Sequence, residues 1–132
     1  SHKTDIAQAL KFLSGTQKKK AIVFVISDFM AEDYEHTLKI AAKKHDITGI
    51  RVYDIREEKM PDLGMVSMLD AETGEIQLVN TGSKSVRMNY EKLYHEKLNY
   101  FKETFSKSGS GVVNTRVDES YVTKLLSYFK SR

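Results

Sequence analysis

The sequence predicts an α/β fold: a partial doubly wound parallel sheet of about three main strands flanked by helices, with a β-hairpin insertion. Three observations carry this. Ala21-Ile22-Val23-Phe24-Val25-Ile26 is a short, uninterrupted apolar run rich in β-branched residues, the pattern of a parallel strand covered on both faces. Strand-like and helix-like segments alternate along the chain with short connections. The alternation begins on a helix, as a doubly wound sheet does when it is entered partway through.

Ile6, Ala9, Leu10 and Leu13 recur at helical spacing, with Thr4 placed to cap the start and Gly15 just past the end. Polar Thr16 to Lys20 leads into the apolar strand, which stops abruptly at Ser27-Asp28. A second helix runs from about Glu32 to Lys44, with Tyr34, Leu38, Ala41 and Ala42 facing inward. Ile47 to Tyr53 reads as the next strand and ends at another acidic residue, Asp54. Strand, helix and strand form a βαβ unit, whose crossover is right-handed.

From Ile55 to Gly64 the chain is charged and carries its only proline, Pro61. Met65–Leu69 and Glu75–Val79 flank Asp70-Ala71-Glu72-Thr73-Gly74, the signature of a hairpin. Ser83 is placed to cap a long helix reaching about Lys107, with Val86, Tyr90, Leu93, Tyr94, Leu98, Phe101 and Phe105 as its buried stripe. Ser108-Gly109-Ser110-Gly111 ends that helix, and Val112 to Val117 forms a third main strand. Asp118 opens a last helix whose inner face is Tyr121, Val122, Leu125, Leu126 and Phe129.

The length of 132 residues suits one domain, 1–132, and neither a repeat nor a linker divides it. Apolar residues at 40% and charged residues at 30% are ordinary for a globular protein. The net charge of +3 is small and local to Lys18-Lys19-Lys20 and Lys43-Lys44, so the balance does not argue for a nucleic-acid partner. Without cysteine there is neither a disulfide framework nor a thiolate site. No apolar run approaches the roughly 18 residues of a membrane span, and no signal-peptide pattern opens the chain. A cytoplasmic location without membrane insertion is expected. The Ser1-His2 start, lacking Met, reads as a tag remnant on a piece of something longer.

Phosphate-cradling glycine motifs are absent, and Gly109 and Gly111 lie between a helix and a strand, the wrong context for one. His2, His36, His45 and His95 share no ligand spacing. Glu91 and His95, at i and i+4, either seed a metal site or make a helix-surface contact. Carboxylates gather after the strands: Asp28, Glu32 and Asp33, then Asp54, Glu57 and Glu58. Open α/β sheets bind ligands at this edge. An Asp in such a place coordinates a hard cation such as Mg²⁺ or caps the next helix. A Mg-dependent hydrolase or phosphotransfer enzyme built on Asp28 and Asp54 is therefore the competing reading, and a nucleic-acid binder using the lysine clusters a third.

The segment Ile22-Val23-Phe24-Val25-Ile26-Ser27-Asp28-Phe29 resembles the fourth strand of a von Willebrand factor A-type domain. Asp54-Ile55-Arg56-Glu57-Glu58, Met60-Pro61-Asp62-Leu63-Gly64, Asp70-Ala71-Glu72-Thr73-Gly74-Glu75 and the terminal Tyr128-Phe129-Lys130-Ser131-Arg132 resemble a bacterial group of such proteins. That group is the domain-of-unknown-function family 58, often encoded beside MoxR-type AAA+ ATPases, and the match covers the chain after Ser1-His2. The resemblance implies a Rossmann-like sheet of order 3-2-1-4-5-6, of which this chain supplies strands four to six. It also implies a metal-ion-dependent adhesion site built from a D-x-S-x-S motif, a Thr and an Asp. Thr4 and Asp28 match the last two positions, with Ser27 preceding that Asp as in the family. The D-x-S-x-S motif is absent, so the metal site is incomplete in this fragment and Mg²⁺ is expected only in the full-length protein. The expected role is a non-catalytic protein-interaction module with Ser27 and Asp54 on its interaction face. An AAA+ ATPase is the expected partner, together with self-association through the exposed Ala21–Ile26 strand edge.

Overall fold

The computed structural model describes residues 6–69 and 73–117. Thr4, the hairpin residues Asp70-Ala71-Glu72 and the expected last helix from Asp118 lie outside the described residues. Helix α1 (Ile6–Thr16) buries Ile6 and Leu10 and contains Gly15 rather than stopping before it. The helix continues because Gln17 N donates to Leu13 O at 2.9 Å and Thr16 Oγ1 donates to Phe12 O at 2.7 Å.

Strands β1 (Ile22–Ser27), β2 (Asp46–Tyr53) and β5 (Gly111–Arg116) form one parallel sheet in the order β1-β2-β5. Val25 pairs with Gly49 and Gly49 with Val112; Ser27 pairs with Arg51 and Arg51 with Asn114. The hairpin is a separate antiparallel pair, β3 (Met65–Leu69) and β4 (Ile76–Asn80), with Met65 opposite Asn80 and Leu69 opposite Ile76. The mixed architecture agrees with the sequence: a three-stranded parallel sheet, flanking helices and an inserted hairpin.

One face of the sheet carries the core. Val23 and Val25 of β1, Ile47 of β2 and Val112 of β5 pack with Ile6, Leu10, Leu38, Ala41 and a group of aromatic rings. The Phe29 ring stacks on Phe101 at 4.1 Å, and Phe105 meets Phe29 edge-on at 5.3 Å and Phe101 at 4.8 Å. Gly49 lies under these rings. A Cβ there would sit 2.5 Å from Phe105 Cε2, so only glycine lets the rings descend onto the middle of β2.

The expectation that the first strand is covered on both faces is corrected. Ile22 and Ile26 are 64% and 58% exposed. β1 is an edge strand, and its alternate side chains point away from the core-facing Val23 and Val25. On β2 and β5 that same second face is buried at Thr48, Ile50 and Thr115, so the exposure belongs to the edge.

Helix α2 spans Glu35–Lys44 and begins later than the Glu32 expected. Asp33 has φ of 62°, a left-handed conformation that no α-helix contains. Tyr34, at the N-cap, offers no side-chain cap. The phenolic oxygen of Tyr100, 66 residues on, instead accepts from Tyr34 N at 3.1 Å and from Glu35 N at 3.0 Å. Lys43 and Lys44 occupy the last turn, where cations complement the helix dipole. Helix α3 spans Lys84–Lys107, and Ser83 caps it by accepting from Val86 N. Its stripe buries Tyr94, Phe101 and Phe105, but Leu93 is exposed. Leu93 points into an open groove rather than onto the sheet.

Candidate functional site

Parallel pairing brings the carboxyl ends of β1, β2 and β5 to one edge, and with them Ser27, Asp28 and Asp54. After β1 the chain turns sharply. Ser27 Oγ accepts from Phe29 N at 3.1 Å, and Asp28 Oδ1 accepts from Met30 N at 3.0 Å. Phe29 has φ of 57°, a conformation costing about 1 kcal/mol or more for a bulky residue. Its fully buried ring holds it there. Asp28 thus caps this turn; it does not cap α2.

After β2, Asp54 opens a 3₁₀ turn, Ile55–Glu58, by accepting from Arg56 N at 2.9 Å. The Arg56 side chain returns to the same carboxylate, with Nη2 to Oδ2 at 2.5 Å and Nε within 3.1 Å of both oxygens. The hydrogen bonds from the Arg56 side chain, then from its backbone N–H, hold the Asp54 carboxyl down at about 2. The pair is exposed, so solvent screens much of its energy. A cavity of about 290 Å³ lies beside it at the ends of β2 and β5, lined by Tyr53, Asp54, Ile55, Arg56, Arg116 and Val117.

A second groove, of about 230 Å³, lies between α3 and the loops after β1 and β2. Met30, Glu57, Tyr90, Leu93, Tyr94 and Lys97 line it. Tyr90 Oη donates to Glu57 O at 2.6 Å, which ties the 3₁₀ turn to α3. Beneath α3 lies Arg51, 6% exposed. Its Nε donates to Asn114 Oδ1 at 2.7 Å, its Nη1 donates to Tyr94 Oη at 3.2 Å, and its Cζ sits 4.1 Å from the Tyr53 ring centroid. Buried cations usually have anionic partners; among the described residues, the partners of this one are the neutral Asn114, Tyr94 and Tyr53.

The Glu91–His95 pairing on α3 does not form the contact considered from spacing. His95 Nε2 lies 3.3 Å from Glu58 Oε1 across to the 3₁₀ turn. His45 is buried and accepts from Ala21 N through Nδ1 at 3.1 Å, anchoring the approach to β1; His36 sits on α2 and His2 lies outside the described residues. Among the described residues no three His, Cys, Asp or Glu side chains converge on a point. Ser27 Oγ and Asp28 Oδ1 already accept backbone bonds. These residues alone do not make the near-octahedral oxygen shell that Mg²⁺ demands, and no step through a metal is derived from them.

Arg51 and Tyr100 escaped the sequence reading, which placed Tyr94 only in the buried stripe of the long helix. One signal was present: a charged residue interrupts the apolar strand Ile50-Arg51-Val52. A charge inside a buried strand marks either a paired structural ion or a site.

The family model described as "Protein of unknown function DUF58" matches residues 1–99. An uncharacterised Mycobacterium avium protein is 26% identical over 129 residues, covering 97% of this chain and 76% of that protein. Uncharacterised proteins of Mycobacterium bovis and Mycobacterium tuberculosis are each 23% identical over 129 residues, and the chain spans 40% of their length. Among solved structures, the conserved hypothetical protein BatB from Bacteroides thetaiotaomicron aligns with a TM-score of 0.43 and 17% identity, over 98% of this chain and 60% of that one.

Proposed function

The chain belongs to the DUF58 family, and we propose that it is a non-catalytic protein-recognition module whose interaction face is the strand-end edge around Ser27 and Asp54. The carrying observation is how the strand-end carboxylates are used. Asp54 is bound by its own Arg56, and Asp28 holds its own turn. General acid–base work at neutral pH needs a group poised near that pH; Asp54 is displaced in the opposite direction. Both carboxylates shape a surface bordered by open cavities, which suits recognition better than proton transfer.

The sheet order β1-β2-β5 supports reading these strands as the fourth to sixth of a Rossmann-like, von Willebrand A-like sheet. The resemblance to proteins encoded beside MoxR-type ATPases supports an AAA+ ATPase as partner, in the cytoplasm. In the full-length protein, Thr4 and Asp28 would join upstream residues around Mg²⁺. A second copy pairing along the Ala21–Ile26 edge is the other partner proposed, supported by the edge position and exposure of β1.

The test is a pull-down of the ATPase by the full-length protein, in Mg²⁺ and in chelator, with a parallel hydrolase and phosphatase assay. Capture in Mg²⁺ that chelator or Asp28→Asn weakens, without turnover, is expected. Turnover that Asp28→Asn abolishes in a folded protein would overturn the non-catalytic reading in favour of the Mg-dependent enzyme. Equal capture in Mg²⁺ and chelator would remove the metal from the account.

A further inference from the structure

Each strand of the parallel sheet is entered from a helix carboxyl end, so three helix-to-strand connections lie along its amino edge. Lys18, Lys19 and Lys20 precede β1, Lys43 and Lys44 end α2 before β2, and Lys107 ends α3 before β5. All but Lys44 are exposed, and none of these lysines has an ion pair among the described residues. Opposing them at this edge are Asp46 and the three helix carboxyl ends, worth about half a charge each. Glu103, one turn back on α3, is offset by Lys102. An excess of about three positive charges remains. The carboxylates that follow β1 and β2 stand at the other edge, about 25 Å away along the eight residues of β2. That distance exceeds twice the screening length of about 10 Å at 0.1 M salt, so the two edges keep separate potentials. Apolar side chains are exposed beside the lysines: Phe12, one turn before the end of α1, is 72% exposed, and Ile22 opens β1 directly after the lysine run.

We propose that this amino edge rests on an anionic lipid bilayer, with its lysines against the headgroups and Phe12 in the interfacial layer. A cluster of this size, on flexible side chains, matches the lysine clusters that hold proteins to anionic leaflets. Two features select a bilayer over a nucleic acid. The cations of the edge are all lysine, point charges suited to a diffuse anionic surface, whereas arginine makes the paired bonds that fix individual phosphates. Ile22 has no ring to stack on a base, whereas the interfacial layer of a bilayer takes up aliphatic and aromatic side chains alike. The contact is peripheral, since no helix among the described residues is long and apolar enough to cross a membrane. Docking by this edge turns the strand-end edge, with Ser27 and Asp54, away from the lipid. The inference uses the edge opposite to the recognition face and stands without that reading.

The test is sedimentation of the 132-residue chain with vesicles of phosphatidylcholine alone, or of equal parts phosphatidylcholine and phosphatidylglycerol, at low and at physiological salt. Binding to the anionic vesicles only, weakened by salt, is expected. Each lysine near such a surface is worth about fivefold, so Lys18→Gln, Lys19→Gln and Lys20→Gln together should weaken binding about a hundredfold. Phe12→Ser should weaken it several-fold. These side chains are exposed, so both variants should melt with the parent. Lys59→Gln, exposed at the other edge, should bind like the parent. Equal binding to neutral vesicles, no binding to anionic ones, or a triple variant that binds like the parent would overturn the proposal. A DNA duplex bound as tightly as the anionic vesicles at equal phosphate, or unchanged binding by Phe12→Ser, would overturn the assignment to a bilayer.

Discussion

Gly49→Ala places one methyl group at the centre of the core. The new Cβ would lie 2.5 Å from Phe105 Cε2, 2.9 Å from Phe105 Cζ and 3.0 Å from Phe101 Cε1. Carbon atoms in ordinary contact stand about 3.5–4.0 Å apart, so the Phe105 ring must retreat by about 1 Å. It has no room to do so, being fully buried and wedged against Phe29, Tyr34 and Phe101. Overpacking of this kind costs about 1–3 kcal/mol. Removing glycine's freedom in the unfolded chain offsets about 0.4–1 kcal/mol. The net loss of about 1–2 kcal/mol corresponds to a fall in melting temperature of roughly 3–10 °C for a domain of this size. Urea unfolding followed by circular dichroism measures it. Gly15→Ala is the internal control: nothing lies within 4 Å of its new Cβ, and the residue sits in α1. It should stabilise by about 0.5–1 kcal/mol. Phe105→Leu removes the clashing ring atoms, so Gly49→Ala with Phe105→Leu should cost less than the two single losses added. A Gly49→Ala protein as stable as the parent would refute the packing argument.

Tyr100→Phe deletes the acceptor that caps α2 from α3. It should cost about 1 kcal/mol, as loss of a helix cap does, and speed hydrogen exchange at the Tyr34 and Glu35 amides; unchanged exchange would show that the cap is unimportant. The Asp54 carboxyl should titrate near 2 by ¹³C NMR, moving toward the ordinary value in Arg56→Ala. Because its folded value is depressed, its contribution to stability is present above the unfolded value of 3.8 and is lost as pH falls through about 2; a midpoint indifferent to Arg56→Ala would contradict the pair. Self-association along β1 should appear in light scattering at high concentration and weaken in Ile26→Lys, since an edge lysine discourages pairing. A clean monomer at high concentration would count against it.

The elements with strong periodicity were legible in the sequence, because burial writes itself into spacing: the long helix after Ser83, the two apolar parallel strands and the hairpin all appear where patterning puts them. Boundaries set by backbone conformation were not. The late start of α2 depends on a left-handed Asp33 and on a hydroxyl 66 residues away, and no local pattern encodes either. The uncovered face of β1 follows from its edge position, which an apolar run alone does not distinguish from a central one. The candidate site was half legible. Ser27, Asp28 and Asp54 follow from the rule that strand ends carry function. Arg51 and Tyr94 meet only where α3 crosses the sheet, a tertiary juxtaposition that sequence spacing does not carry.

The proposed function places partner binding at the strand-end edge and not at the opposite edge. Binding of the proposed partner, a purified MoxR-type ATPase, to the full-length protein, quantified by calorimetry for substitutions at the two edges, tests this most directly. Ser27→Arg and Asp54→Arg, which put a long side chain at the proposed contact face, should each weaken binding by tenfold or more, the scale of disturbing a central interface residue. Lys19→Glu, before β1 at the opposite edge, should leave binding within about twofold, as expected outside the interface. Weakening by Lys19→Glu with unchanged binding for both strand-end variants would contradict the account.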